Sequence, residues 1–283
     1  MSESIRSMCK SLRLAYVSEI YENIPFDSPV QYLEALFKEE FRLREKAKVQ
    51  RLIKNAKFLD SKSLSNYEWN ERIRFPTHID KEGLTSLDFI KQKQNVVLIG
   101  SPGTGKSHLA TGLGRKACEM GYEVRFYRVS LLIEQLEQAL KQDKLPSFRK
   151  RFEKVDLIIL DEMGYLPFSK EGSELLFQLI ADWYEQKSLI ITSNLEFSQW
   201  NRIFIDSRLT AALVDRLIHH AHVLTFNGGS YRLSTHYLRL GKLNRLGGKT
   251  LQKVLRSYAL FSCKIHVPAI PYIYVWSERV QRQ

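Results

Sequence analysis

Residues 100–107, Gly-Ser-Pro-Gly-Thr-Gly-Lys-Ser, fit the spacing G-x-x-x-x-G-K-[ST], a loop that wraps phosphates with backbone N–H groups. Gly100, Gly103 and Gly105 allow the turns that bring those groups inward, and Ser101, Pro102 and Thr104 complete the cradle. Lys106 has the charge and reach for the β- and γ-phosphates of a nucleoside triphosphate, here expected to be ATP. The Ser107 hydroxyl is a ligand for Mg²⁺.

A phosphate-bound magnesium also needs an acidic partner, and the apolar run LIILDE at 157–162 supplies Asp161 at the tip of a buried strand. Glu162 follows at once. A second carboxylate there can polarise a water for in-line attack, which separates hydrolysis from phosphoryl transfer to a small molecule. The run LIITSN places Asn194 at another strand tip, where its amide would orient the water and sense the γ-phosphate. Asn is also a common turn residue.

Arg208 and Arg216 lie eight residues apart on the helical run SRLTAALVDRLIHH, about 80° apart around the axis. One is a candidate arginine finger acting on a neighbouring subunit's nucleotide; the alternative is an ion pair with Asp206 or Asp215. His219, His220 and His222 invite a metal reading. Two consecutive helical histidines face different directions, so that reading is disfavoured.

These groups need a scaffold that converges strand ends. From Asn95, short β-rich runs (VVLIG, VRFY, DLIILD, LIITSN, HVLTF) alternate with helical stretches. The pattern predicts an α/β P-loop NTPase, with a parallel sheet covered by helices on both faces and a small N-terminal helical domain. Residues 95–236 would be the ATPase core.

Residues 1–60 read as that N-terminal helical domain. Leu12, Ala15 and Ile20 share a face, and Ser28-Pro29 is a strong helix start. Along the second helix Leu33, Leu36, Phe37, Phe41, Leu52, Ile53 and Ala56 follow helical spacing. Lys38, Arg42, Arg44, Lys46, Lys48, Arg51, Lys54 and Lys57 fill the remainder, offset by Glu39, Glu40 and Glu45. Arg42, Arg44, Lys48, Arg51, Lys54 and Lys57 are the candidate DNA contacts. Residues 61–94, with Tyr67 and Trp69, lack clear periodicity and read as a connector between domains; the alternative is that its aromatics pin it to the core.

The net charge of +12 is uneven: residues 1–94 carry +3, 95–236 carry +1 and 237–283 carry +8. Basic ends on a neutral core are the footprint of a nucleic-acid binder, and also of plain solubilising extensions. Three scattered cysteines, Cys9, Cys118 and Cys263, suit a reducing cytoplasm. Neither a secretory leader nor a membrane span is expected.

Three segments, NVVLIGSPGTGKSHLATGLGRKACEMGYEVRFY, DLIILDEMGYLPFSKEGSELLFQLIADWYEQKSLIITSN and DRLIHHAHVLTFNGGSYRL, resemble the IstB-like transposition helper ATPases of bacterial insertion sequences. These are AAA+ proteins similar to DnaC-type helicase loaders. The resemblance spans roughly residues 10–235. It implies a helper that binds duplex DNA without strong sequence preference, forms ATP-dependent homo-oligomers on it, and delivers it to a partner transposase. It assigns nucleotide binding to Lys106 and Ser107, metal and water to Asp161 and Glu162, sensing to Asn194 and a trans-acting arginine to Arg216. Arg208 stays in reserve.

Residues 237–283 depart from that family and read as a basic extension of unknown role, more in keeping with a frameshifted ending than with a DNA-binding tail. The nearest rival function is a replicative helicase loader, whose leader would grip a helicase in place of DNA. A small-molecule kinase is disfavoured by Glu162, and a non-hydrolysing nucleotide switch by the intact Asp161-Glu162 pair.

Overall fold

The computed structural model describes residues 3–164, 167–204 and 206–230. The extension beyond 236 lies outside the described residues.

Six strands form one sheet: β1 (Ile73–Arg74), β2 (Asn95–Gly100), β3 (Val124–Arg128), β4 (Leu157–Met163), β5 (Ser188–Ser193) and β6 (Ala221–Phe226), in the order β1-β6-β2-β5-β4-β3. All neighbours are parallel except β1 with β6. Alternation along the strands feeds two apolar layers. Val97, Ile99, Ile158, Leu160 and Ile191 pack in one layer with α7 (Val129–Lys141), α8 (Leu145–Lys150), α9 (Lys170–Trp183) and α10 (Ser207–Ile218). Val96, Leu98, Leu157, Ile159 and Ile190 pack on the opposite layer with α6 (Lys106–Glu119). The expected two-faced α/β sheet is thus present, and its strands read as continuous apolar runs because both faces are covered.

The N-terminal part comprises α1 (Glu3–Ser11), α2 (Val17–Ile20) and α3 (Pro29–Ala56). Ser28 caps α3 by accepting a hydrogen bond from the Gln31 N–H, with Pro29 in the first turn. At 28 residues, α3 is about 42 Å long, and its two halves have different surroundings. Leu52 and Ala56 enter the sheet-layer core, whereas Leu36 joins a small separate cluster with Cys9 and Val17.

The single apolar face expected along α3 is only partly realised. Leu33, Phe37 and Phe41 remain 49%, 44% and 68% exposed, because that half of α3 buries only Leu36 and Glu40, on the side that α1 and α2 cover. Leu12 is 69% exposed; the backbone leaves the helix at Arg13, whose φ is +55°, which breaks the expected face with Ala15 and Ile20.

The stretch after α3 is more structured than a connector. A 3-10 turn (Leu64–Asn66), β1, α4 (Lys81–Ser86) and α5 (Asp88–Lys91) occupy it. Tyr67, Ile73, Leu84, Leu87, Phe89 and Ile90 are buried in the sheet-layer core. Each element is too short to show a period, so the sequence signal vanishes although the packing is complete.

Candidate nucleotide site

The loop between β2 and α6 follows the first central strand, flanked by β6 and β5. Gly100 has φ +150° and sits so close to β6 that a Cβ would fall 2.3 Å from the Phe226 carbonyl oxygen. Gly105 has φ +101° and faces the Tyr67 ring, whose hydroxyl would lie 3.3 Å from an added Cβ. Any side chain at either position would distort the cradle. Thr104 Oγ1 donates to the Ser101 carbonyl at 2.8 Å, closing the loop. Lys106 is buried and donates to the carbonyls of Gly100 and Ser101 at 2.6 and 2.8 Å.

The Ser107 hydroxyl donates to Asp161 Oδ1 at 2.8 Å, so the loop and β4 meet as expected. Asp161 is buried and also accepts from Thr192 Oγ1 at 2.6 Å. Thr192 Oγ1 in turn accepts from the Glu162 N–H at 3.0 Å. One threonine therefore serves two consecutive acids.

A bulge makes this possible. Leu160 pairs with Ile191 and Met163 with Ser193, so β4 uses one residue more than β5 across that interval. Thr192 opposes both acids, and Glu162 takes φ +62°. A bulge of this kind re-aims side chains at a strand end, and non-glycine left-handed backbone persists only where the surroundings enforce it. Glu162 Oε2 lies 3.5 Å from Arg128 Nε at the tip of β3, where Arg128 pairs in register with Asp161.

Asn194 directly follows β5, whose last residue Ser193 pairs with Ile99 and Met163. It therefore stands, half-buried, between the carboxyl ends of β2 and β4. Asp161 and Ser107 offer two hard oxygens 2.8 Å apart, the donor chemistry that suits Mg²⁺. The glycine-lined loop with Lys106 suits the phosphates of ATP.

Arg216 is not brought to this cluster. α10 begins just after the β5 tip region and leads into the start of β6, so Arg216 sits toward the sheet end opposite the phosphate loop. Its guanidinium carbon lies 4.6 Å from the Phe177 ring centroid on α9, and Nη1 is buried with no hydrogen-bond partner among the described residues. Arg208 is exposed in the first turn of α10, about 12 Å away along the axis. Among the described residues neither arginine forms an ion pair with Asp206 or Asp215.

The basic residues of α3 divide. Arg42 is paired with Glu39, Lys48 stands 3.8 Å from Glu45, and Arg44 Nε lies 2.6 Å from Glu40. Glu40 is 2% exposed and accepts the N–H groups of Tyr16 and Val17 at 2.7 and 2.8 Å. Arg44 also donates to the Arg13 carbonyl, so it fastens the turn between α1 and α2 to α3. Arg51, Lys54 and Lys57 are exposed and form no ion pair among the described residues.

The sequence alone does not single out Thr192, Arg128 or His108, and it marks Tyr67 only as an aromatic of the connector. Tyr67 packs edge-on against His108, which contacts the Ser63 carbonyl and follows Ser107 directly. Thr192 carried a signal, a hydroxyl two residues before Asn194 and directly after the apolar run Leu189-Ile190-Ile191. Burial raises the Tyr67 hydroxyl pKa well above its ordinary value. The three histidines also part company: His222 is buried against His78 and Gln94, whereas His219 and His220 are exposed. Cys9 and Cys118 are buried free thiols.

Residues 23–238 match the family described as IstB-like ATP binding protein. An insertion sequence IS232 putative ATP-binding protein from Bacillus thuringiensis subsp. berliner is 35% identical over 74% of this chain and 83% of its own length. An IS5376 putative ATP-binding protein from Geobacillus stearothermophilus is 34% identical over 82% and 95%. Among solved structures, AMPPCP-bound DnaA from Aquifex aeolicus superposes with a TM-score of 0.51 at 20% identity, over 70% of this chain and 60% of that one, a likeness of fold. The sheet order, the phosphate loop meeting Asp161 and these matches agree on an AAA+ P-loop fold, and the chain belongs to the family of IstB-like ATP binding proteins.

Proposed function

We propose that this protein hydrolyses ATP to ADP and phosphate while assembled as a homo-oligomer on duplex DNA, and delivers that DNA to a partner transposase of an insertion sequence. The observation that carries the hydrolytic part is the junction of Ser107 with Asp161 at 2.8 Å, with Glu162 re-aimed beside it by the bulge. The names of the relatives, insertion sequence ATP-binding proteins, support the transposition setting.

In this reading the backbone N–H groups of Ser101, Gly103, Thr104 and Gly105 and the Lys106 ammonium bind phosphate oxygens. Ser107 and Asp161 would hold Mg²⁺, which supplies charge neutralisation on the β- and γ-phosphates. Glu162 accepts a proton from the attacking water, and Asn194 orients that water. Thr192 holds Asp161 and the Glu162 backbone in register. Arg216 serves a neighbouring subunit's nucleotide, and the exposed Arg51, Lys54 and Lys57 contact DNA phosphates, which requires no particular base sequence. No helix among the described residues is long and apolar enough to cross a membrane. A cytoplasmic setting, where ATP and DNA are at hand, suits this reading.

The test is electron microscopy on plain duplex DNA with ATP, ADP, or ATP plus Glu162→Gln, together with phosphate release. Nucleotide-dependent oligomers that persist in the variant, and phosphate release that depends on Glu162, are expected. Monomers in every condition, or release unaffected by Glu162→Gln, would refute the reading.

A further inference from the structure

We propose that Glu185, His219 and His220 form a surface binding site for a zinc-like divalent transition-metal ion, separate from the magnesium position at Ser107 and Asp161. One ring nitrogen from each histidine and one carboxylate oxygen of Glu185 all lie within 4.8 Å of one another. Zinc bonds to imidazole and carboxylate of ~2.0–2.2 Å at tetrahedral angles separate ligand atoms by roughly 3.3 Å. Closing onto the ion thus asks for side-chain shifts on the order of 1 Å, and all three residues are exposed and free to make them.

Consecutive histidines in a continuous helix diverge, which is why their sequence spacing argued against a shared ion. Here α10 ends at Ile218, with His219 as its cap and His220 already beyond it. The His219 N–H still bonds to the Asp215 carbonyl, while the His220 carbonyl already accepts from the Asn95 N–H of β2 at 2.7 Å. The chain turns at that point, and the two rings meet at 4.2 Å between centroids.

The carboxylate arrives from 34 residues upstream. α9 ends at Trp183, Gln186 and Lys187 both bond back to the Trp183 carbonyl, and Glu185 takes φ +57° in that tight turn. Its Oε1 stands 3.6 Å from His220 Nε2. The neighbouring Tyr184 hydroxyl lies 3.2 Å from His219 Nδ1, the kind of outer contact that fixes a ligating imidazole's orientation and tautomer.

Two imidazoles and one carboxylate favour zinc and its transition-metal neighbours over magnesium or calcium, which prefer all-oxygen sites. Three protein ligands leave a fourth position for water. The ion would tie the α9–β5 turn to the α10–β6 turn, at the sheet end opposite the phosphate loop.

The test is titration of the full chain with zinc chloride against a chromophoric chelator, with a thermal melt alongside. One zinc per chain and a raised Tm are expected. His220→Ala and Glu185→Gln should each weaken binding at least tenfold and abolish the Tm rise, and Tyr184→Phe should weaken it less. Because ligating imidazoles must be deprotonated, affinity should also fall as pH is lowered. Absence of stoichiometric zinc, or equal zinc affinity in the wild type and His219→Ala/His220→Ala, would overturn the site; neither outcome bears on the ATPase reading, whose phosphate release is measured separately.

Discussion

Arg128 and Glu162 form an ion pair across the tips of β3 and β4, 3.5 Å from Nε to Oε2, with both side chains about half exposed. The backbone of Glu162 is fixed by its bond to Thr192, so the side chain swings from a fixed root. While paired with Arg128 the carboxylate is not free to meet a water. An exposed pair contributes ~0.2–1 kcal/mol, and 1.36 kcal/mol is tenfold in rate. Arg128→Ala should therefore leave folding nearly unchanged and raise steady-state phosphate release by up to about fivefold. A fall in release at unchanged nucleotide affinity would show that Arg128 assists the reaction.

Thr192 is the hinge of the acidic pair. Thr192→Val keeps the shape but removes the donor to Asp161 and the acceptor for the Glu162 N–H. A stranded buried polar group costs ~1–3 kcal/mol, so chemical denaturation should show a loss of that order. Thr192→Ser, which retains the hydroxyl, should recover most of it. Phosphate release should fall in Thr192→Val well beyond what the unfolded fraction explains; equal release in the two variants would remove Thr192 from the site.

Much of this site was legible because phosphate loops and strand-end acids combine fixed residue types with fixed spacing. Gly100 to Ser107 and Asp161-Glu162 stand where the motif demands. The bulge was not legible, since one extra residue in an apolar strand leaves no mark until its partner strand is known. Likewise the short elements between Leu64 and Lys91 lack a period, and the convergence of Glu185 with His219 and His220 depends on two turns meeting at one sheet end. The α3 apolar positions were correctly seen as helical, but their burial depends on what the helix lies against. Only its final turns reach the sheet.

Arg216 leans on Phe177, a cation–π contact of a kind worth ~0.5–1 kcal/mol at exposed sites and more when desolvated. If the arginine acts across a subunit boundary, Arg216→Ala should bind ATP normally yet release little phosphate. Mixing it with Lys106→Ala, also inactive alone, should restore measurable release, because some boundaries then combine an intact loop with an intact arginine. No recovery on mixing, with oligomers still formed, would assign the finger elsewhere, first to Arg208.

The division among α3 cations makes a separable expectation. Each neutralised phosphate adds ~0.9 to the log–log salt slope of DNA affinity. Charge reversal at Arg51, Lys54 and Lys57 should flatten that slope with little change in Tm. Arg44→Ala should do the opposite: it frees the buried Glu40 from its pair and, at roughly 1.5–3 kcal/mol for a bond to a charged group, lowers Tm while leaving the slope nearly intact. An unchanged slope after the triple reversal would move the DNA surface off this helix.

His222 gives the protein a calculable pH response. Burial first, and the neighbouring His78 second, hold its pKa below the ordinary value. Its two ring nitrogens face His78 and the Gln94 side chain at 2.9 and 2.8 Å, so the neutral ring is the one the fold accommodates. The unfolded chain binds the proton near pH 6.5 and the folded chain only at lower pH. Between those values the unfolded state holds more protons, and stability rises with pH. Its contribution is therefore complete above about pH 6.5 and is lost progressively as the solution is acidified toward the folded pKa. His222→Gln, compared with wild type by denaturant melts at pH 5, 6, 7 and 8, should show a shallower decline on the acid side while being less stable at pH 8. Parallel curves for the two proteins would place the acid sensitivity in another group.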